Sequence, residues 1–129
     1  MSEQSLIAIV DDDQSFRLSM RRLLKSLGYS VAIFASAAEF LSSPELVISR
    51  CLVADIHMPG MTGIELYLHL IAAGPVIPTI LVTAYPDETD EKRMLRLGVA
   101  SYLRKPLEEA ALIDSLNAVF GGTDPRNMT

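Results

Sequence analysis

The sequence has few of the residues that mark secreted, thiolate-metal or nucleic-acid-binding proteins. Its 129 residues include one cysteine, two histidines and no tryptophan, and acidic residues outnumber basic ones by 16 to 11. A single cysteine cannot form an intrachain disulfide, so Cys51, inside an apolar segment, is expected to be a small buried hydrophobe of a cytoplasmic protein. The net charge of -5 argues against direct binding to nucleic acid or to an acidic membrane surface.

Long apolar runs are also missing. No segment is long and apolar enough to span a bilayer, and the start, MSEQSLIAIVDDD, has no positively charged region of an export signal. The length fits one domain, and a hydrophobic content of 50% is enough for a globular core. We therefore expect one domain over residues 1–120, with 121–129 as a flexible tail or the start of a linker.

Short apolar segments alternate with segments of helical periodicity along the chain. Five short segments have the length of strands: 5–10, 30–34, 51–54, 78–83 and 101–104. Apolar residues at helical spacing mark a first helix (Phe16, Met20, Leu23, Leu24, Leu27), a third (Ile64, Leu66, Leu68, Ile71) and a last (Ala110, Ile113, Leu116, Phe120).

Helix boundaries are predicted from capping signals. Gly28 ends the first helix, and Ser36 with Glu39 predicts a capping box for a short second one. A fourth helix is expected near 89–97, ending at Gly98.

The alternation predicts an α/β fold with a parallel sheet. Near-continuously apolar strands are typical of sheets covered on both faces by helices. We expect a five-stranded parallel sheet in the order 2-1-3-4-5, the flavodoxin-like arrangement. In such sheets the ligand site lies outside the carboxyl ends of the strands, where the strand order reverses.

Four of the five predicted strands deliver a polar group to that edge. The first is followed by Asp11, Asp12 and Asp13, the third ends at Asp55, the fourth at Thr83, and the fifth leads into Lys105. Each has an ordinary structural explanation: aspartates cap helices, threonine suits strands, and a lysine can lie on the surface. Together they indicate more, because several carboxylates on one small patch repel unless a cation joins them. Oxygen ligands suit Mg²⁺, which binds carboxylates together with phosphate oxygens.

The segments IVDDD, LVADIHMPGMTG, ILVTAY and LRKP, in this order, resemble the receiver domain of two-component response regulators. The resemblance covers residues 5 to 120 and is greatest to receivers of the nitrogen-fixation regulator type. It implies a phosphoacceptor that takes a phosphoryl group from a sensor histidine kinase and catalyses only its own phosphorylation and dephosphorylation. It also implies a switch of the surface formed by helix 4, strand 5 and helix 5, and a phosphorylation-dependent homodimer.

The resemblance assigns a role to each polar group. Asp55 is the phosphoacceptor; Thr83 and Lys105 contact the phosphoryl group, and Thr83 and Tyr102 form the switch. Mg²⁺, for which Mn²⁺ can substitute, is held by Asp11, Asp12, Asp55 and the backbone carbonyl of His57. A cis Lys105–Pro106 bond is implied by the resemblance alone, since most bonds before proline are trans.

Three alternatives stay open at the level of sequence. DDDQS could belong to a phosphatase of the haloacid-dehalogenase type with Asp11 as nucleophile, although the chain lacks a late acidic pair and a cap. A pseudo-receiver would bind partners without phosphorylation, but all the reacting groups are present. Zinc binding by His57 and His69 with Cys51 lacks a recognisable ligand spacing.

Overall fold

Five strands alternate with five helices in a computed structural model that describes residues 5–74 and 76–121. The strands are β1 (Leu6–Val10), β2 (Ser30–Phe34), β3 (Ser49–Asp55), β4 (Thr79–Thr83) and β5 (Ser101–Arg104). The helices are α1 (Gln14–Ser26), α2 (Ala37–Leu41), α3 (Gly63–Ala73), α4 (Glu88–Arg96) and α5 (Glu109–Val119). A 3₁₀ helix, Pro44–Ile48, precedes β3.

The sheet confirms the predicted fold class and strand order. All neighbouring strands are parallel, in the order β2-β1-β3-β4-β5. The chain moves from β1 to one edge and then returns past β1 to β3, so the order reverses between β1 and β3. Loops that leave these two strands diverge and open a crevice at their carboxyl ends.

Side chains on the two faces of the sheet form separate apolar clusters. The first cluster packs α2, α3 and α4 against one face, through residues that include Phe40, Leu66 and Met94. The second packs α1 and α5 against the other, through residues that include Leu24 and Leu112. Cys51 belongs to the second cluster, and its burial raises the pKa of the thiol to about 12, which confirms its expected role as a buried hydrophobe.

Local details differ from the sequence prediction in three places. Ser36 caps α2 by accepting a hydrogen bond from the backbone of Glu39, but the Glu39 carboxylate accepts from Ala35 and not from Ser36, so the predicted capping box is only half formed. The 3₁₀ helix before β3 has no counterpart in the prediction. On α5 the buried residues are Leu112, Ser115 and Leu116, of which Leu116 was predicted; the predicted Phe120 packs partly buried against the second cluster.

The element bounds otherwise agree with the prediction within two residues. β2 and β5 have the predicted bounds, and α4 covers Glu88–Arg96 against an expected 89–97. Within the described residues, every helix is too short or too polar to cross a membrane. The predicted tail lies, except for Gly121, outside the described residues, and the domain boundary at 120 stays a prediction.

Candidate functional site

Asp55 is the last residue of β3 and lies at the point where the sheet order reverses. It is buried, with 6% of its surface exposed, and one carboxylate oxygen accepts a hydrogen bond from the backbone N–H of His57 at 3.2 Å. Helix α3 starts close behind it at Gly63. A Cβ added at Gly63 would lie 2.4 Å from the carbonyl oxygen of Asp55, so only glycine allows the helix to approach the strand end this closely.

Two further carboxylates lie beside Asp55. Asp11, which follows β1, is completely buried, and its Oδ1 accepts from the backbone N–H of Asp13 at 2.8 Å. Asp12 is exposed. Asp11, Asp12 and Asp55 each offer an oxygen, and these oxygens lie within 4.8 Å of one another. Asp13 points elsewhere: it caps α1 through hydrogen bonds from Ser15 and Phe16.

This donor set fits the predicted ion. Three carboxylates at such short separations repel one another, and a cation between them removes the repulsion. Their oxygens are the ligands that Mg²⁺ prefers, and the exposed position of Asp12 leaves the group open to solvent and to an incoming phosphate. The role of the His57 carbonyl as a further ligand stays a prediction.

Lys105 lies beside this group of three carboxylates. Its Nζ lies 2.8 Å from Oδ2 of Asp11 and 3.6 Å from Oδ2 of Asp55. Burial acts to lower the pKa of Lys105, but its hydrogen bond with Asp11 and the charges of Asp11 and Asp55 outweigh burial and raise it. The side chain is therefore a fixed positive charge beside Asp55. The Lys105–Pro106 bond is cis, as the resemblance implies.

The electrostatic environment of Asp55 disfavours its own negative charge. Burial first, and the charge of Asp11 second, raise the pKa of Asp55; Lys105 and the N–H of His57 act in the opposite direction. Perturbed carboxyl groups of this kind are concentrated at functional sites. Asp55 thus combines burial, crowding by like charges and access to the crevice.

Thr83 and two aromatic residues line the side of the crevice next to β4. Thr83 is fully buried, and its hydroxyl oxygen accepts from the backbone N–H of Tyr85 at 2.9 Å. The hydroxyl still carries its own proton and can donate it to an anion. Tyr85 and His57 meet edge to face, with ring centroids 5.3 Å apart. Both side chains are exposed, Tyr85 to 73%.

Tyr102 lies on β5, which β4 separates from the strand that ends at Asp55. Its ring packs against the first cluster, and its hydroxyl accepts from the backbone N–H of Asp87 at 3.1 Å. Asp87 is the N-cap of α4, so Tyr102 connects β5 to the start of that helix. Burial of the hydroxyl raises the pKa of Tyr102.

Two site residues were not recognised in the sequence. Phe16 was assigned only to the apolar face of α1, yet its ring centroid lies 4.2 Å from Nζ of Lys105. Arg17 donates to the carbonyl oxygen of Asp11 at 2.7 Å and ties α1 to the end of β1. No sequence motif marks either contact, because both depend on how the first turn of α1 packs against the ends of β1 and β5.

The zinc alternative is not supported in the part of the chain that the structure describes. The metal-binding group found there consists of Asp11, Asp12 and Asp55 and contains neither histidine nor cysteine. Cys51 is buried in the core, and His69 is exposed on α3.

Fold and site together define a doubly wound α/β domain whose switch point holds three carboxylates, a lysine and a threonine. Comparison with known families identifies it: residues 7–117 match the response regulator receiver domain. The chain belongs to this family: it is a receiver domain, the phosphoacceptor domain of two-component signalling. This confirms the class of protein predicted from sequence, a receiver domain of two-component signalling, and disfavours the phosphatase alternative.

Curated relatives support the finer resemblance to nitrogen-fixation regulators. The chain is 36% identical over 121 residues to the transcriptional regulatory protein FixJ of Azorhizobium caulinodans. It is 32% identical over 117 residues to nodulation protein W of Bradyrhizobium diazoefficiens. The alignments cover 94% and 91% of this chain but only 57% and 52% of those relatives, so the chain spans little more than half of their length.

Solved structures agree with the fold. The response regulator StyR matches with a TM-score of 0.84 and 37% identity, covering 96% of this chain and 63% of that one. The structure of FixJ-N matches with a TM-score of 0.79 and 28% identity, covering 92% of this chain and 94% of that one.

Proposed function

We propose that Asp55 accepts a phosphoryl group from a phosphohistidine of a sensor histidine kinase, in a reaction that requires Mg²⁺ or Mn²⁺. The observation that carries the proposal is the position of Asp55 in a small cluster of opposite charges. Oxygens of Asp11, Asp12 and Asp55 lie within 4.8 Å of one another, and Nζ of Lys105 lies 3.6 Å from Asp55 and 2.8 Å from Asp11.

The reaction is an in-line displacement at phosphorus. A carboxylate oxygen of Asp55 attacks, the P–N bond to the kinase imidazole breaks, its electrons return to the ring nitrogen, and an acyl phosphate forms. Transfer of this kind depends mainly on positioning and on neutralisation of charge. The divalent ion, when held by Asp11, Asp12, Asp55 and the His57 carbonyl, supplies charge that offsets repulsion of the incoming group.

The remaining polar groups act on the product. Lys105 exchanges its contact with Asp11 for an oxygen of the phosphoryl group and neutralises it. Thr83 turns its hydroxyl from the N–H of Tyr85 towards another phosphoryl oxygen. The space that Thr83 leaves admits the ring of Tyr102, which releases the N–H of Asp87 at the start of α4. The charge of the phosphoryl group thus shifts the equilibrium between two arrangements of Thr83 and Tyr102, as a switch requires.

The chain catalyses only its own phosphorylation and dephosphorylation in this proposal. Asp11, the nucleophile of the phosphatase alternative, is completely buried and accepts hydrogen bonds from Lys105 and Asp13. Asp55, in contrast, faces the crevice. We place this function in the cytoplasm, because the one cysteine is unpaired and buried, and we expect no direct contact with nucleic acid, because the net charge is -5.

A small phosphodonor tests the function without knowledge of the kinase. With acetyl phosphate and Mg²⁺, intact-mass measurement is expected to show one phosphoryl group per chain, and with a chelator none. Mn²⁺ should restore labelling, since it accepts the same oxygen ligands. Steady release of phosphate in excess of the protein, without a stable adduct, would instead favour the phosphatase.

We further propose that phosphorylation promotes a homodimer through the surface of α4, β5 and α5. A shallow groove of about 380 Å³ lies on this surface between β5 and α5, lined by Leu103, Arg104, Pro106, Leu107, Glu108 and Ala111. The groove carries an arginine and a glutamate among apolar residues. A patch with both charge signs can face its own copy across a two-fold axis, where each arginine meets the other glutamate.

Sedimentation velocity checks the dimer. With beryllium fluoride and Mg²⁺ as a phosphoryl mimic, the sedimentation coefficient is expected to rise from that of a monomer to that of a dimer. Leu107→Asp should prevent the rise because it places a charge in the groove. The control is Val47→Asp, since Val47 is 84% exposed before β3, at the opposite end of the sheet. A monomer under all conditions would refute the dimer.

A further inference from the structure

Lys105 has a neighbour that the phosphoryl-transfer scheme leaves without a role. Its Nζ lies over the ring of Phe16 at 4.2 Å from the centroid, within the range of a cation–π interaction. Nζ therefore has the Asp11 carboxylate at 2.8 Å, the Asp55 carboxylate at 3.6 Å and an aromatic face as its three near partners.

Two hydrogen bonds fix the first turn of α1, which carries the ring of Phe16. Phe16 is the third residue of α1, and its backbone N–H donates to the N-cap Asp13, while Arg17 ties the same turn to the carbonyl of Asp11. The side chain is half-buried and packs against the second cluster. The ring is thus held at the start of the helix that follows Asp11 and Asp12, with its face towards Nζ of Lys105.

An aromatic face differs in one respect from any polar partner at this place. A carboxylate or hydroxyl would accept a hydrogen bond from Nζ and compete with the oxygens of an incoming phosphoryl group. A ring attracts the ammonium through its quadrupole without accepting a conventional hydrogen bond, so the remaining N–H groups of Nζ stay available. It also covers part of the Lys105 ammonium, whose side chain is 17% exposed, and shielding from water strengthens the charge interactions of the site.

We propose that Phe16 is a positioning residue, whose ring holds the Lys105 ammonium against the phosphoryl site and thereby increases the rate of phosphorylation of Asp55. The proposal rests on the proposed function, since it concerns the group that neutralises the phosphoryl charge. An ordinary core-edge phenylalanine would contribute apolar bulk only. The two roles differ in what a substitution of the ring does to Lys105.

The kinetic test compares Phe16→Leu, which keeps apolar bulk but removes the ring, with Phe16→Tyr, which keeps the ring. Phe16→Leu is expected to slow labelling by acetyl phosphate about three- to tenfold, as loss of a partly desolvated cation–π contact implies. Phe16→Tyr, which retains an aromatic face, should stay within about twofold of wild type. In a Lys105→Ala background, Phe16→Leu should change the rate less than about twofold, because the ammonium is already absent.

The outcomes separate failure of this inference from failure of the proposed function. Wild type that takes up no phosphoryl group refutes the function itself. Wild type that is labelled, together with Phe16→Leu at the wild-type rate or with the same slowing in the Lys105→Ala background, refutes only the role of the ring.

A second measurement does not depend on phosphorylation or on any variant. In NMR spectra of the native protein, a ring over Nζ should shift the protons of the Lys105 ε-methylene upfield. Lys25 and Lys92, the other two lysines, are exposed and serve as internal references. Lys105 signals at the positions of these references would overturn the proposal.

Discussion

The Asp55→Asn variant is expected to take up no phosphoryl group from acetyl phosphate and Mg²⁺, under conditions in which wild type is fully labelled. The amide has nearly the shape of the carboxylate, and its oxygen can still accept the hydrogen bond from His57. It lacks the negatively charged oxygen that attacks phosphorus, so the loss is complete and not partial. Intact-mass measurement with and without the donor checks this.

The loss should not result from unfolding. Burial and the charge of Asp11 raise the pKa of Asp55, which shows that its negative charge is unfavourable where it lies. Removal of that charge is therefore expected to leave the melting temperature in metal-free buffer at least as high as that of wild type.

The matched control for Asp55→Asn is the same substitution at Asp13. Asp13 belongs to the same acidic run as Asp11 and Asp12, but its carboxylate caps α1 and is not part of the metal-binding group. Asparagine caps helices about as well as aspartate, so Asp13→Asn should be labelled like wild type. Equal labelling of the Asp55→Asn variant would show that the phosphoacceptor is misassigned.

Combined substitution of His57 and Tyr85 is expected to shorten the lifetime of the phosphorylated state by up to about 100-fold. Hydrolysis of the acyl phosphate needs a water in line with the bond to Asp55, on the open side of the crevice. His57 and Tyr85 each stand two residues after a strand-end residue of the site, Asp55 and Thr83, and their rings meet edge to face with 5.3 Å between centroids. We therefore expect the pair to occupy space that this water needs. A nucleophile displaced by about 1 Å loses roughly 100-fold in rate, which sets the scale of the effect.

Decay of the adduct after removal of the donor, followed by intact mass, measures this in wild type and in His57→Ala/Tyr85→Ala. The control is His69→Ala, because His69 is the other histidine and lies exposed on α3, away from the crevice. It should leave the lifetime unchanged. Slower decay in the double variant would mean that His57 orients the water and assists hydrolysis, which is the opposite of the role assigned to it.

The sequence alone determined the fold and which polar residues meet at the carboxyl edge of the sheet. Apolar runs such as that ending at Asp55 are short, continuous and separated by helical periods, and this pattern is compatible with few arrangements other than a parallel sheet covered on both faces. Carboxyl ends of parallel strands meet at one edge, so residues that directly follow strands could be assigned to a common site before any distance was known. Asp11, Thr83 and Lys105 were found in this way.

Only the tertiary structure decided which side chains touch across that edge. The edge-to-face contact of His57 with Tyr85 joins the loops after β3 and β4, and the contact of Phe16 with Lys105 joins the start of α1 to the end of β5. Neither pair has a local sequence signal, because such contacts depend on loop paths and on side-chain rotamers that are fixed only when separate elements pack together.

The sequence prediction of a single hydrogen bond also failed where two backbone N–H groups competed for one carboxylate. Glu39 follows Ser36 at the spacing of a capping box, yet its carboxylate accepts from Ala35, one residue earlier. A strand or helix is predicted from a pattern that repeats over many residues, so one misplaced contact does not change the prediction. A single hydrogen bond, in contrast, depends on small differences in local geometry. The sequence therefore determined the sheet, its order and the polar groups at its carboxyl edge, and packing decided which other side chains contact them.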